Sequence, residues 1–155
     1  MDIDIIIPIY NAFDFVKKCI ETVIEHTDLT QHTLLLVNDK STDERILPLL
    51  NSFIKENQSL NIILIDNKDN QGFVRTVNIG MQYSHHDVVL LNSDTEVTRN
   101  WLSKIQNCAY SKPAVATVTP LSNNATLASV PVFLAENTIP PGLSVEEYAD
   151  IVEKC

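Results

Sequence analysis

Four runs, "IDIIIPI" (3–9), "TLLLVND" (33–39), "LNIILID" (60–66) and "VVLL" (88–91), are dominated by Ile, Leu and Val, and the chain after each turns to amides and acids. Nearly continuous apolar runs of this length do not suit a sheet with one wet face; they read as strands buried on both sides. The segments between them carry apolar residues at helical spacing. Strand and helix alternating in this way predict an α/β fold, a mostly parallel sheet with helices on both faces joined by right-handed crossovers.

In the first helix, expected after Asn11 as its cap, Phe15, Cys19 and Val23, with Ile20 and Ile24, form the inward stripe. Ser41 and Glu44 have capping-box spacing, which predicts a second helix from there toward Lys55, with Pro48 as a candidate break. "NQGFVRTVNIGMQYS" (70–84) opens with turn residues and continues as a helix through Val74, Val77 and Met81. A helix is expected over 99–110 and a strand over 114–121. Residues 122–143 read as a long Pro-rich loop, and Ser144 with Glu147 as the box that starts a last helix.

The chain has 155 residues, a net charge of −9 and 45% hydrophobic residues. That is one domain with a core of its own. So acidic a chain is a poor partner for nucleic acid or an anionic membrane, and any phosphate it binds needs another neutraliser. No run reaches the ~20 apolar residues of a membrane span, and the acidic start lacks a signal peptide's basic head, so a cytoplasmic location is expected. Cys19, Cys108 and Cys155 are too scattered for a disulfide framework or a zinc site and read as reduced thiols.

In an open parallel sheet, ligands bind beyond the carboxyl ends of the strands. Those ends present Pro8-Ile9-Tyr10-Asn11, Asn38-Asp39-Lys40-Ser41, Asp66-Asn67 leading to Asn70 and Gly72, and Asn92-Ser93-Asp94. No G-x-G-x-x-G follows the first strand and no G-x-x-x-x-G-K-[ST] occurs, so phosphate is not held in a glycine cradle. A divalent cation on carboxylate and amide oxygens is the remaining way to hold a diphosphate here, with Asp94 as anchor. His85 and His86 read as a surface turn, His26 and His32 as exposed, Arg75 as solvent-facing and Trp101 as core packing.

"IIIPIYNAFDFVKKCIETV", "LLLVNDKSTDE", "NQGFVRTVNIGM" and "VVLLNSDTEV", in this order from residue 5 to residue 97, resemble the nucleotide-binding half of a family 2 glycosyltransferase of the GT-A fold. The resemblance implies inverting transfer of a sugar from a nucleoside-diphosphate donor to a glycan or lipid-linked acceptor, with Mn2+ or Mg2+. It sets Pro8, Tyr10 and Asn11 beside base and ribose, Asp39 on the base, Gly72 where backbone approaches the nucleotide, and Asn78 in support from its helix. "NSD" (92–94) matches the family's D-x-D element, with Asp94 as metal ligand and Asn92 toward ribose or metal. Asn38 and Asn92 depart from the pattern, standing where relatives carry Asp.

"LNSDTEV" with "SNNAT" is nearer the rhamnosyltransferase-like branch. The family's catalytic base lies well beyond the D-x-D strand. Glu146, Glu147 and Asp150 read instead as a solvated helix face, so the chain is expected to be a truncated domain that binds donor and metal without its base. Peripheral membrane association would come through regions outside it. A sugar nucleotidyltransferase and a non-catalytic nucleotide-sugar-binding module remain as alternatives.

Overall fold

The computed structural model describes residues 1–125 and 128–154; Cys155, and Thr126 and Leu127 of the expected loop, lie outside the described residues. The chain forms two compact units, residues 1–96 and the residues from Val97 onward. The first contains β1 (Ile3–Ile9), α1 (Phe13–His26), β2 (Thr33–Asn38), α2 (Ile46–Glu56), β3 (Ile62–Asp66), α3 (Phe73–Tyr83) and β4 (Asp87–Leu90). All pairings are parallel, in the order β3-β2-β1-β4.

Every residue of β1 is buried, odd and even alike, so both sheet faces are covered there, but the edge strands β3 and β4 are only partly buried, with Ile63 and Leu90 exposed, because an edge strand has a neighbour on one side only. Right-handed crossovers explain how. From β1 to β2 to β3 the chain steps one way, which puts α1 and α2 on one face; from β3 to β4 it steps back, which puts α3 on the other. α3 packs on β1 and β2 through Thr76, Val77 and Gly80, over a cluster of Ile6, Leu35 and Val37.

Several expectations are corrected in detail. α1 buries Val16 rather than Phe15, which is exposed; Val16, Cys19, Ile20 and Val23 keep the i, i+3, i+4, i+7 face that sits on a flat sheet. Asn11 does not cap α1, whose N-cap is Ala12 without a side-chain bond. α2 starts at Ile46, not at Ser41, whose hydroxyl instead ties down the preceding loop by accepting the Asn11 N–H. Pro48 does not break α2. It lies in the first turn, where its missing N–H has no intrahelical acceptor to lose. In α3, Val74 and Met81 are exposed and only Val77 of the expected stripe is buried.

His32 is buried, against expectation, and its Nδ1 accepts the Ile3 N–H at 3.3 Å. Burial pulls its pKa below the ordinary histidine value. His26 is half-buried. His85 and His86 are exposed at a surface turn as expected, with His86 Nδ1 3.2 Å from Asp4 Oδ1. Burial of Asp4 raises its pKa, but bonds from Ser84, His85 and His86 outweigh it and hold the carboxyl below its usual value.

In the second unit, α4 (Trp101–Ala109) buries Trp101, and α5 (Val145–Val152) starts at the expected Ser144–Glu147 capping box. The acids of α5 are not simply solvated. Arg99 binds Glu146 at 3.1 Å and Asp150 at 3.3 Å, and Lys104 pairs with Glu153. Residues 114–121 form no strand, and Val115 is exposed. Among the described residues no helix is long and apolar enough to cross a membrane.

Candidate functional site

The order in which strands are added turns back at β1, β2 and β3 lying on one side of it and β4 on the other, which makes a topological switch point between β1 and β4, where ligands bind in sheets of this kind. The β1–β4 ladder ends at Ile6↔Leu90, followed by Leu91 N–H to the Ile6 carbonyl at 3.0 Å. β1 continues to Ile9, paired only with β2. Pro8 falls in this single-sided stretch, two residues past Ile6 and directed toward the β4 side, where a residue without N–H loses no ladder bond. Sequence and topology therefore open the sheet between Pro8 and Asn92.

The β1–α1 loop is wound left-handed at Asn11 (φ 59°) and Ala12 (φ 57°). Asn tolerates that region better than most residues. Its side chain locks the next loop: Oδ1 accepts the N–H groups of Thr42 at 2.8 Å and Asp43 at 2.9 Å. Tyr10, half-exposed beside it, faces solvent at the sheet's carboxyl edge.

Asp39 is 3% exposed and organises the β3–α3 loop. Its Oδ1 accepts Gln71 N–H at 2.7 Å and Asn67 Nδ2 at 3.0 Å, and its Oδ2 accepts Gly72 N–H at 2.8 Å. Burial pushes its pKa up, yet these bonds, with Thr76, win and hold the carboxyl below its ordinary value. Gly72 is the N-cap of α3 with φ 76°, and a Cβ there would meet nothing within 4 Å. Glycine is thus demanded by backbone conformation, and the ledge above it is open. Asn38 donates to Asp66 Oδ1 at 2.7 Å and accepts Ser41 N–H at 3.2 Å, so the departure from the family's Asp satisfies a neighbouring acid.

After β4, Thr95 N–H closes on the Asn92 carbonyl at 3.1 Å, a turn that leaves Asn92 and Asp94 exposed. The structure brings Pro8, Tyr10, Asn11, Asp39, Gly72, Asn92 and Asp94 to one edge of the sheet. Asn78 is set apart from them, on the exposed side of α3 in the middle of the helix. Sequence reasoning had no role for Asn67, which bonds both Asp39 and Thr76, although its place just past a strand end was visible.

Among the described residues no three His, Cys, Asp or Glu gather to cage a metal. The exposed side chains of Asp94 and Asn92 suit a hard cation that takes one carboxylate from the protein and the rest of its shell from phosphate and water.

A family model described as glycosyl transferase family 2 matches residues 4–134. The chain is 31% identical over 104 residues to polypeptide N-acetylgalactosaminyltransferase 11 of Xenopus tropicalis, covering 65% of this chain and 17% of the relative. It is 33% identical over 73 residues to the poly(ribitol-phosphate) beta-glucosyltransferase of Bacillus spizizenii, covering 46% of this chain and 11% of that protein. Both relatives are therefore several times longer than the segment matched. The mannosyltransferase PcManGT of Pyrobaculum calidifontis, solved with GDP-Man and Mn2+, superposes with a TM-score of 0.72 at 17% identity, over 77% of this chain and 35% of that one. Parallel order, helical layers and this likeness agree on the GT-A arrangement, and the chain belongs to glycosyl transferase family 2.

Proposed function

We propose that residues 1–155 are one donor-binding domain that holds a nucleoside-diphosphate sugar with Mn2+ or Mg2+ for inverting transfer to a glycan or lipid-linked hydroxyl. The observation that carries this is the switch point itself, with Asp94 exposed on one side of the opening and Pro8, Tyr10 and Asn11 on the other. The PcManGT complex with GDP-Man and Mn2+ supports it.

Asp39 has about four acceptor positions as a carboxylate. Gln71, Gly72, Asn67 and Thr76 all bond this carboxylate, so an N–H of the base would reach Asp39 by sharing one of its oxygens. Pro8, Tyr10 and Asn11 flank base and ribose, Gly72 admits the nucleotide to backbone, and Asn78 supports the site from α3. Asn92 faces ribose or metal, and Asp94 ligates the cation. The cation, when bound, neutralises the leaving diphosphate. "LNSDTEV" and "SNNAT" favour a rhamnosyltransferase-like donor, and a cytoplasmic setting fits a nucleotide-sugar user. A second reading, donor binding without turnover, is favoured by the commitment of Glu146 and Asp150 to Arg99 and of Glu147 to the capping box.

Calorimetry with UDP, dTDP and GDP, with and without Mn2+, tests the proposal. One of them should bind only when Mn2+ is present, and Asp94→Ala should abolish that binding. Binding that survives Asp94→Ala, or that ignores the metal, overturns it.

A further inference from the structure

Cys19 lies on the buried face of α1 and is fully excluded from solvent. Its Sγ is 3.5 Å from the carbonyl oxygen of Asn92, 73 residues away in the chain. The thiol therefore touches the first residue of the turn that presents Asp94, on the same Asn92 carbonyl that the Thr95 N–H closes onto.

A thiol suits this place. It is compact and apolar enough to lie under the helix, yet still offers a weak donor and a polarizable acceptor. A hydroxyl would be costlier to bury and a methyl would offer the Asn92 carbonyl no donor.

We propose that Cys19 is a positioning residue for the cation: by holding the Asn92–Thr95 turn from beneath, it fixes the direction in which Asp94 offers its carboxylate. This rests on the reading of Asp94 as metal ligand given above. Cys19 itself touches neither donor nor metal. The turn keeps its own Thr95–Asn92 bond without the sulfur, so what is lost on removing it is alignment rather than the turn.

The test uses the whole chain and Cys19→Ala, Cys19→Val, Cys19→Ser and Asp94→Ala. Mn2+ is titrated by electron paramagnetic resonance in the presence of whichever of UDP, dTDP or GDP binds the unaltered chain most tightly. Cys19→Ala and Cys19→Val should weaken Mn2+ roughly three- to tenfold, the scale of one net hydrogen bond, while Cys19→Ser, which keeps the donor, should recover most of it. Cys19→Val fills the space and carries the comparison if Cys19→Ala does not fold. Unchanged Mn2+ affinity in a folded Cys19→Val protein, with Asp94→Ala still abolishing binding, overturns the positioning role. So does a serine variant as weak as the valine one, because the sulfur would then matter only as packing. Mn2+ binding that persists in Asp94→Ala refutes the reading of Asp94 instead, which separates the two failures.

Discussion

Asn38 is 3% exposed and its amide meets the Asp66 carboxylate at 2.7 Å. An Asp in its place, the residue the family favours, would set two carboxyl groups within hydrogen-bond distance. They cannot both ionise cheaply, so one keeps its proton with a raised pKa. Asn38→Asp should lower stability at pH 7 by about 1–3 kcal/mol, the cost of an uncompensated polar group. A carboxyl with a raised folded pKa binds its proton more tightly folded than unfolded, so acidification from pH 7 to pH 5 should shrink the deficit. Urea denaturation at both pH values checks this, and an equal deficit at each would refute it. Asp39 behaves in the opposite sense: its depressed pKa gives stability that is complete above the unfolded value near 4 and lost only as pH falls through the folded one. At this scale the acids and amides of the site were legible because apolar strands end on them. Their partners were not. The bonds Asn38–Asp66, Asn67–Asp39 and Asn11–Thr42 join residues far apart in sequence, and spacing carries no trace of such pairs.

Among the elements, α3 shows what periodicity reads and what it misses. Its existence was plain, but its inward face is Thr76, Val77 and Gly80, a small-residue seam flanked by exposed Val74 and Met81. Apolar spacing points to the larger side chains, whereas close approach to the sheet selects the smaller ones. A Cβ at Gly80 would lie 2.7 Å from Ile6 Cγ2 and 3.2 Å from Val37 Cγ2. Gly80→Ala gains about 1 kcal/mol of helix propensity and loses about 1–3 kcal/mol to overpacking. Both neighbours are β-branched and fully buried, so the clash should win. Denaturant unfolding should show a net loss, and an alanine variant more stable than the parent would show that the seam yields. The misread starts and strands have related causes. Ser41 and Glu44 make a valid local box, but Asn11 supplies the side chain that takes the loop's N–H groups and the helix starts later. Residues 114–121 are apolar enough for a strand, yet a strand is stable only with neighbours to bond, which no local pattern reveals.

For the molecule as a whole, a charge of −9 against 11 Lys and Arg sets the terms on which a diphosphate can bind. The acidic field opposes the ligand, and Asp94 adds to it until a cation is present. On the proposed donor site, nucleotide and Mn2+ must then be strongly coupled, and the coupling is reciprocal: each raises the other's affinity by the same factor. Stability reads this out directly, because a ligand that binds only the folded chain stabilises it by mass action. With the nucleotide about a hundredfold above its dissociation constant the gain is about 2.7 kcal/mol. For a chain of this size that corresponds to a rise in Tm of roughly 5–10 °C. Scanning calorimetry should show that rise with nucleotide and Mn2+ together and little with either alone. Nucleotide alone giving the full shift would mean that protein groups neutralise the phosphates, and the opening between β1 and β4 would then hold its ligand without the help of Asp94.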